Sequence, residues 1–103
     1  MGLFSKKPSA PLPSGTIREQ VTFMGRVQHV GFRYEMLMLA RRYGVTGCVE
    51  NRYDGTVYAE LQGTEAHVAA VLTDIDAIPR IVIERMDRRR VPPVPGETGF
   101  TTD

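Results

Sequence analysis

The chain contains little of what several large classes of protein require. Its 103 residues include a single cysteine, Cys48, and no tryptophan. One thiol cannot form an intramolecular disulfide or a thiolate metal cluster, which excludes disulfide scaffolds and zinc ribbons. No apolar run approaches the ~20 residues that cross a bilayer, and the first residues lack the apolar core of a secretory signal. We therefore expect a cytoplasmic protein with no membrane partner.

Strong net charge is also absent. Thirteen Lys and Arg residues face twelve Asp and Glu residues, which gives a formal net charge of +1. This balance creates no global field that would collect nucleic acid, so any anion binding must be local. The run Arg88-Arg89-Arg90 is not accompanied by the aromatic strand pattern of RNA-recognition sheets, and a solvated sheet edge or a turn suits it better. We expect no nucleic-acid partner.

The length and composition indicate one small domain. A chain with 42% hydrophobic residues at this length can bury one core, but not two. The first fifteen residues hold three prolines, two glycines and three serines, with too little apolar surface to offset the entropy of ordering them. We predict a flexible tail over residues 1–15, a domain over residues 16–103, and a monomer.

Two segments carry the helical repeat. Phe32 begins an apolar stripe at i, i+4, i+7, i+8 and i+11, which predicts an amphipathic helix that ends at Gly44. Thr64 is a suitable N-cap for a second helix, whose apolar positions run from Val68 onward. Pro79 lies just past the end of that helix.

Strand patterns surround these helices. Residues 17–25, 45–51 and 57–61 alternate with period 2, and a turn at residues 52–55 joins the last two segments into a hairpin. Ile81 opens a fourth strand, and residues near Phe100 suit a short final one. The order β-α-β-β-α-β predicts an α+β, ferredoxin-like sandwich whose antiparallel sheet carries both helices on one face. In it, we expect Asn51 to end a strand that neighbours the first.

The most informative segment is GRVQHVGFR, residues 25–33, between the first strand and the first helix. Gly25 and Gly31 permit backbone angles at which successive N–H groups can converge on one set of oxygen atoms. The helix N-terminus adds unpaired N–H groups and the positive end of the helix dipole. Arg33, in the first turn, can make a bidentate contact with a phosphate. The segment therefore predicts an oxyanion site.

Other phosphate and metal sites do not match. Phe32-Arg33 follows Gly31 where the Walker A loop needs Lys and then Ser or Thr, and no dinucleotide fingerprint is present. His29 and His67 lie too far apart to form a local metal-binding pair. We expect no metal and no cofactor. Asn51 is too weak a base to take a proton, but its amide can position a water molecule beside a phosphoryl group.

GRVQHVGFR is followed by GVTGCVEN at residues 44–51, by DGTV at residues 54–57 and by Gly63. In order and in spacing, these motifs resemble the acylphosphatase family. The resemblance implies hydrolysis of the carboxyl-phosphate anhydride of small acyl phosphates, without a metal ion or a covalent intermediate. It also implies that Arg33 binds the substrate phosphate and that Asn51 orients the attacking water. The implied phosphate loop, which inorganic phosphate or sulfate would also occupy, comprises Arg26, Val27, Gln28, His29, Val30 and Gly31.

Two residues depart from the family pattern. His29 stands where the family usually has glycine, and Cys48 stands where it usually has tryptophan. If residue 29 needs a positive φ, histidine would carry roughly 1–3 kcal/mol of strain. We expect Cys48 to be a small buried hydrophobe within its strand. His29 leaves a second hypothesis open, in which the domain binds a phosphorylated ligand or a partner and has weakened catalytic activity.

Overall fold

The computed structural model describes residues 12–102. Those residues form five strands and two helices in the predicted order. The elements are β1 (Thr16–Arg26), α1 (Phe32–Tyr43), β2 (Thr46–Asn51), β3 (Val57–Thr64), α2 (Glu65–Asp76), β4 (Val82–Val91) and β5 (Phe100–Thr102). Most of the predicted tail, residues 1–11, lies outside the described residues, and residues 12–15 lead directly into β1.

The five strands form one sheet in the order β4-β1-β3-β2-β5. Strands β1 to β4 pair antiparallel, whereas β5 runs parallel to β2, with Phe100 opposite Gly47. The predicted ferredoxin-like α+β fold with its antiparallel sheet is confirmed for four strands, and the short terminal strand makes the sheet mixed at this edge. The reason is that β4 and β5 lie at opposite edges, so the segment between them crosses the sheet before the chain pairs again.

The position of β2 also differs from the prediction. β3 pairs with β1 on one side and with β2 on the other, so Asn51 does not end a strand adjacent to β1. The expected adjacency was wrong because the second strand of the hairpin, rather than the first, inserts beside β1. Val57 lies opposite both Phe23 of β1 and Asn51 of β2, which places Asn51 two strands away from the end of β1.

The apolar core lies between one face of the sheet and the two helices. Phe23 of β1 and Phe32 of α1 are both buried, and their ring centroids are 4.8 Å apart with the planes tilted by 59°. This pair joins the strand before the GRVQHVGFR segment to the helix after it. Burial of each such side chain contributes about 1.5–3 kcal/mol. The helices add the buried residues Met36, Leu39, Ala40, Val68, Val71, Leu72 and Ile75.

The opposite face of the sheet is polar. Arg18 is buried there, and its guanidinium donates hydrogen bonds of 2.9 Å to the side chains of Glu60, Gln62 and Glu97. Cys48 lies on this face opposite Glu60 and is half-buried, so the prediction of a buried hydrophobe is wrong. The residues on either side of it, Gly47 and Val49, are buried toward the core, so the side chain of Cys48 lies on the opposite face. Burial, followed by the charge of Glu60, raises the pKa of the Cys48 thiol.

The arginine run lies in the edge strand β4, one of the two places predicted for it. Arg88 donates hydrogen bonds of 2.7 and 2.9 Å to the two carboxylate oxygens of Glu19, and Arg90 lies 3.7 Å from the same carboxylate. The Glu19 side chain is 5% exposed. Two of the three arginines therefore neutralise a buried carboxylate, which explains why a glutamate interrupts the apolar alternation of β1.

Candidate active site

The chain leaves β1 through a β-bulge at Gly25. The register between β1 and β4 shifts between Met24 and Gly25, and Gly25 has a φ of 129°. A Cβ atom at this position would lie 2.3 Å from the carbonyl oxygen of Val82, far inside van der Waals contact. Glycine is therefore required here, because the backbones of β1 and β4 approach too closely for any side chain.

The loop beyond the bulge contains two residues with positive φ. His29 has a φ of 62°, and it is the single non-glycine residue with positive φ in the part of the chain described here. Gly31 has a φ of 81° and caps the start of α1. The conditional expectation that residue 29 adopts positive φ is therefore confirmed. Val27 is buried in the core and anchors the beginning of the loop. Backbone turns of this kind can direct successive N–H groups into one concavity.

Gln28 connects the loop to the turn of the β2–β3 hairpin. Its side-chain amide donates hydrogen bonds to the carbonyl oxygens of Arg52, at 2.6 Å, and Thr56, at 2.8 Å. The turn is itself closed by the Arg52 N–H, which donates to the Thr56 carbonyl at 2.8 Å. The sequence does not reveal this connection, because nothing in it relates a loop glutamine to carbonyl groups 24 and 28 residues away.

Arg80 holds the other side of the loop. It follows α2, and its Nε donates a 2.8 Å hydrogen bond to the carbonyl oxygen of Val30. Its Nη2 also contacts the Glu35 carboxylate in the first turn of α1. Sequence reasoning missed Arg80, since a lone arginine after a proline has no pattern that distinguishes it from other surface cations.

A pocket of ≈ 370 Å³ opens between the loop, α1, and the ends of β2 and β5. It brings together Arg33 and Asn51, the two residues expected to be catalytic, although they belong to different elements. Among the expected loop residues, Arg26, Gln28 and Val30 do not contribute to its wall. The lining residues are Val27, His29, Gly31, Phe32, Arg33, Tyr34, Leu37, Asn51 and Thr102. The sequence did not identify Tyr34, Leu37 or Thr102 as part of this site.

The electrostatic setting of the pocket suits an anion. Within residues 12–102, no side chain caps the N-terminus of α1, so its first N–H groups and the positive end of the helix dipole face the loop. Arg33 adds a cation on the same turn. The same residues contain no group of three or more His, Cys, Asp or Glu side chains arranged to hold a metal ion. The arrangement can therefore bind an oxyanion through N–H groups and a guanidinium.

The described residues also contain no helix that is long and apolar enough to cross a membrane.

Comparison with known proteins agrees with the resemblance. A sequence model of the family described as Acylphosphatase matches residues 19–102. The chain is 38% identical over 84 residues to an acylphosphatase of Clostridium acetobutylicum, covering 81% of this chain and 92% of that protein. It is 39% identical over 74 residues to one of Polaromonas naphthalenivorans, covering 71% and 73%. The crystal structure of acylphosphatase from Bacillus subtilis matches with a TM-score of 0.79 and 26% identity, covering 84% and 98% of the two chains. The chain therefore belongs to the acylphosphatase family.

Proposed function

We propose that this protein hydrolyses small acyl phosphates to a carboxylate and inorganic phosphate. The observation that supports the proposal most strongly is that Arg33 and Asn51 line one pocket beside the N-terminus of α1. A cation and a helix N-terminus bind a phosphoryl group, and an amide in the same pocket positions a water molecule. Hydrolysis of a mixed anhydride needs few catalytic groups beyond these, because its carboxylate is a good leaving group and does not need a strong general acid.

In this proposal the substrate phosphoryl oxygens bind to loop N–H groups between Arg26 and Gly31 and to the guanidinium of Arg33. The amide of Asn51 holds a water molecule in line with the bond to the leaving group. The water oxygen forms a bond to phosphorus while the bond between phosphorus and the carboxyl oxygen breaks. The carboxylate takes the electron pair, and the protons of the water pass to the phosphate product and the solvent. Fixed positive groups around the equatorial oxygens stabilise the transition state.

The proposal includes a product and an assembly state. Inorganic phosphate, or sulfate of similar shape, occupies the loop as a competitive ligand, because it presents the same oxygens as the substrate. In this proposal the protein acts as a monomer in the cytoplasm, since one chain supplies both Arg33 and Asn51 to the pocket. Size-exclusion chromatography with light scattering tests the monomer, and phosphate titration followed by NMR tests the ligand.

The test is an acetyl phosphate hydrolysis assay in the presence of EDTA. We expect phosphate release to continue without metal, and Arg33→Ala to lower kcat/KM by about 100-fold, the usual effect of removing one positioned charge donor. Asn51→Ala should lower kcat more than it raises KM, because it removes the water-positioning group. Full activity in Arg33→Ala would refute the assignment of Arg33.

Arg41→Ala is the matched control, since Arg41 is an exposed arginine in the last turn of the same helix. It removes the same charge from α1 at the end far from the loop. We expect its kcat/KM to equal that of the wild type.

The second hypothesis, a phosphate-binding module with weakened catalysis, depends on His29. The structure places His29 in the pocket wall, where an exposed imidazole can narrow the entrance for a bulky acyl group. Phosphate binding together with no turnover of acetyl phosphate over a wide pH range would select this hypothesis.

A further inference from the structure

We infer that Arg80 is a positioning residue for the phosphate loop, acting on the peptide between Val30 and Gly31 and on the charge of Glu35. The inference rests on the proposed function, since it assigns Arg80 to the binding of the same phosphoryl group. Arg80 does not line the pocket, and it acts from behind the loop.

The hydrogen bond from Arg80 fixes the direction of one N–H group in the loop. Arg80 Nε donates to the Val30 carbonyl oxygen at 2.8 Å. In a trans peptide the C=O and the next N–H point in opposite directions, and the described residues contain no cis peptide. Holding the Val30 carbonyl toward Arg80 therefore turns the Gly31 N–H away from Arg80. Gly31 lines the pocket, so in this inference its N–H faces a bound phosphoryl oxygen.

Gly31 itself shows how closely the guanidinium approaches. A Cβ atom on Gly31 would lie 3.1 Å from Arg80 Nη2 and 3.5 Å from Nε. The guanidinium thus packs closely against the Gly31 backbone, and a side chain at this position would crowd it. Arg80 and Val30 are 50 residues apart in the sequence. Their contact joins the segment after α2 to the loop that precedes α1.

Arg80 also compensates a negative charge near the pocket. Glu35 lies in the first turn of α1, two residues after Arg33, and its carboxylate contacts Arg80 Nη2. An uncompensated carboxylate in this turn would repel a phosphoryl dianion in the pocket. Arg80 cancels that charge. The Arg80 side chain is 53% exposed and that of Glu35 26% exposed, so this ion pair contributes little to the stability of the fold. In this inference its main effect is to raise the affinity of the pocket for a phosphoryl anion.

The test compares Arg80→Met and Arg80→Lys with the wild-type protein. KM and kcat are measured for acetyl phosphate, Kd for inorganic phosphate by calorimetry, and folding by thermal unfolding. We expect Arg80→Met to raise KM and the phosphate Kd by about tenfold, the effect of losing one charge-assisted hydrogen bond. Arg80→Lys keeps the positive charge without the guanidinium, and should lower kcat with a smaller rise in KM.

Rescue separates the proposed role from a merely structural one. Adding Glu35→Gln to Arg80→Met removes the uncompensated carboxylate, and we expect it to restore phosphate affinity by about threefold to fivefold. Damage to the fold would not be repaired by a second substitution of this kind. Arg85→Met is the control for net charge, because Arg85 forms an exposed ion pair with Asp87 in β4. It should leave KM, kcat and the phosphate Kd unchanged.

The outcomes distinguish this inference from the proposed function. Arg80→Met with KM and phosphate Kd within twofold of the wild type would overturn the role of Arg80. Equal phosphate affinities in Arg80→Met and in the double variant would overturn the charge argument. A wild-type protein that binds phosphate without turning over acetyl phosphate refutes the proposed function alone, and the phosphate Kd values still test Arg80. A wild-type protein that neither turns over acetyl phosphate nor binds inorganic phosphate would overturn both.

Discussion

The side-chain amide of Gln28 lies 2.6 Å from the carbonyl oxygen of Arg52, the residue that follows Asn51. This hydrogen bond joins the phosphate loop directly to the end of β2. In the proposed mechanism the loop holds the phosphoryl group and Asn51 holds the water. The distance between the two reactants therefore depends on a contact that touches neither of them.

We expect Gln28→Leu to lower kcat about tenfold with little change in KM, because a small misplacement of the water relative to phosphorus weakens the in-line attack. Steady-state kinetics with acetyl phosphate checks this. Asp54→Ala is the control, since Asp54 accepts hydrogen bonds from Thr56 within the same turn and does not contact the loop. If both variants lose kcat equally, the turn matters and the link from Gln28 does not.

His29→Gly should increase the free energy of unfolding by about 1 kcal/mol, because glycine adopts a φ of 62° without the strain that histidine carries. Urea unfolding followed by circular dichroism measures the difference. His29→Ala is the matched variant, because alanine keeps the strain while losing the imidazole. A glycine variant no more stable than the alanine variant would contradict the prediction.

The His29→Gly variant also distinguishes an imidazole that only narrows the pocket entrance from one that takes part in the reaction. We expect His29→Gly to hydrolyse acetyl phosphate at least as fast as the wild type, since the expected donors in the loop are backbone groups. A substantially slower His29→Gly would instead assign the imidazole to the reaction.

Arg88→Met should destabilise the protein by about 2–3 kcal/mol at neutral pH, because it leaves the Glu19 carboxylate buried with only Arg90 nearby. Hydrogen bonds from Arg88 lower the pKa of Glu19 in the folded protein. This group therefore contributes stability above its unfolded pKa of about 4.3, and the contribution is lost as the pH falls through the lower folded pKa.

The difference between wild type and Arg88→Met should accordingly be largest at neutral pH and shrink below about pH 4, where Glu19 is protonated in the unfolded chain. Urea unfolding at several pH values measures it. Arg85→Met, which breaks the exposed pair with Asp87, should show a small effect at every pH. A difference for Arg88→Met that did not depend on pH would contradict the role assigned to Glu19.

Tyr58 should ionise well above the ordinary tyrosine pKa of about 10. Burial, together with the 2.7 Å hydrogen bond that it donates to the Glu60 carboxylate and the charge of that carboxylate, raises its pKa to about 12. Since the folded pKa lies above the unfolded value of about 10, the stabilisation is present below pH 10 and is lost between those two values. Ultraviolet titration of the phenolates measures this, and Tyr58→Phe should remove the step near pH 12.

The order of elements could be predicted from the sequence because the signals are local. Gly44 at the end of α1 and Thr64 at the start of α2 act through their own backbone conformation and capping contact. The sheet order could not be predicted in the same way. Whether β2 or β3 lies beside β1, and whether β5 runs parallel to β2, depends on pairings between residues far apart in the chain.

The candidate site, too, was predictable only in part. Arg33 and Asn51 could be named because the resemblance places them at the family's spacing, and the pocket brings them together. Gln28 was named as a loop residue, but its hydrogen bonds to the hairpin turn could not be predicted, nor could the contact between Arg80 and Val30. In both cases the partner is a backbone carbonyl, which every residue possesses and no sequence pattern marks. Cys48 was expected to be buried from its residue type, whereas the buried positions Gly47 and Val49 on either side of it place its side chain on the opposite face of the strand.

Because His29 has a positive φ, substitutions there can change the conformational strain of the loop without changing its N–H donors. A substitution at this position by any residue other than proline alters the free-energy cost of the loop conformation. It leaves every backbone N–H of the loop in place. In the proposed site, substitutions at position 29 should therefore change the population of the binding-competent loop without changing its backbone donors. Variants at this single residue would give a series of proteins with the same donors and different degrees of preorganisation.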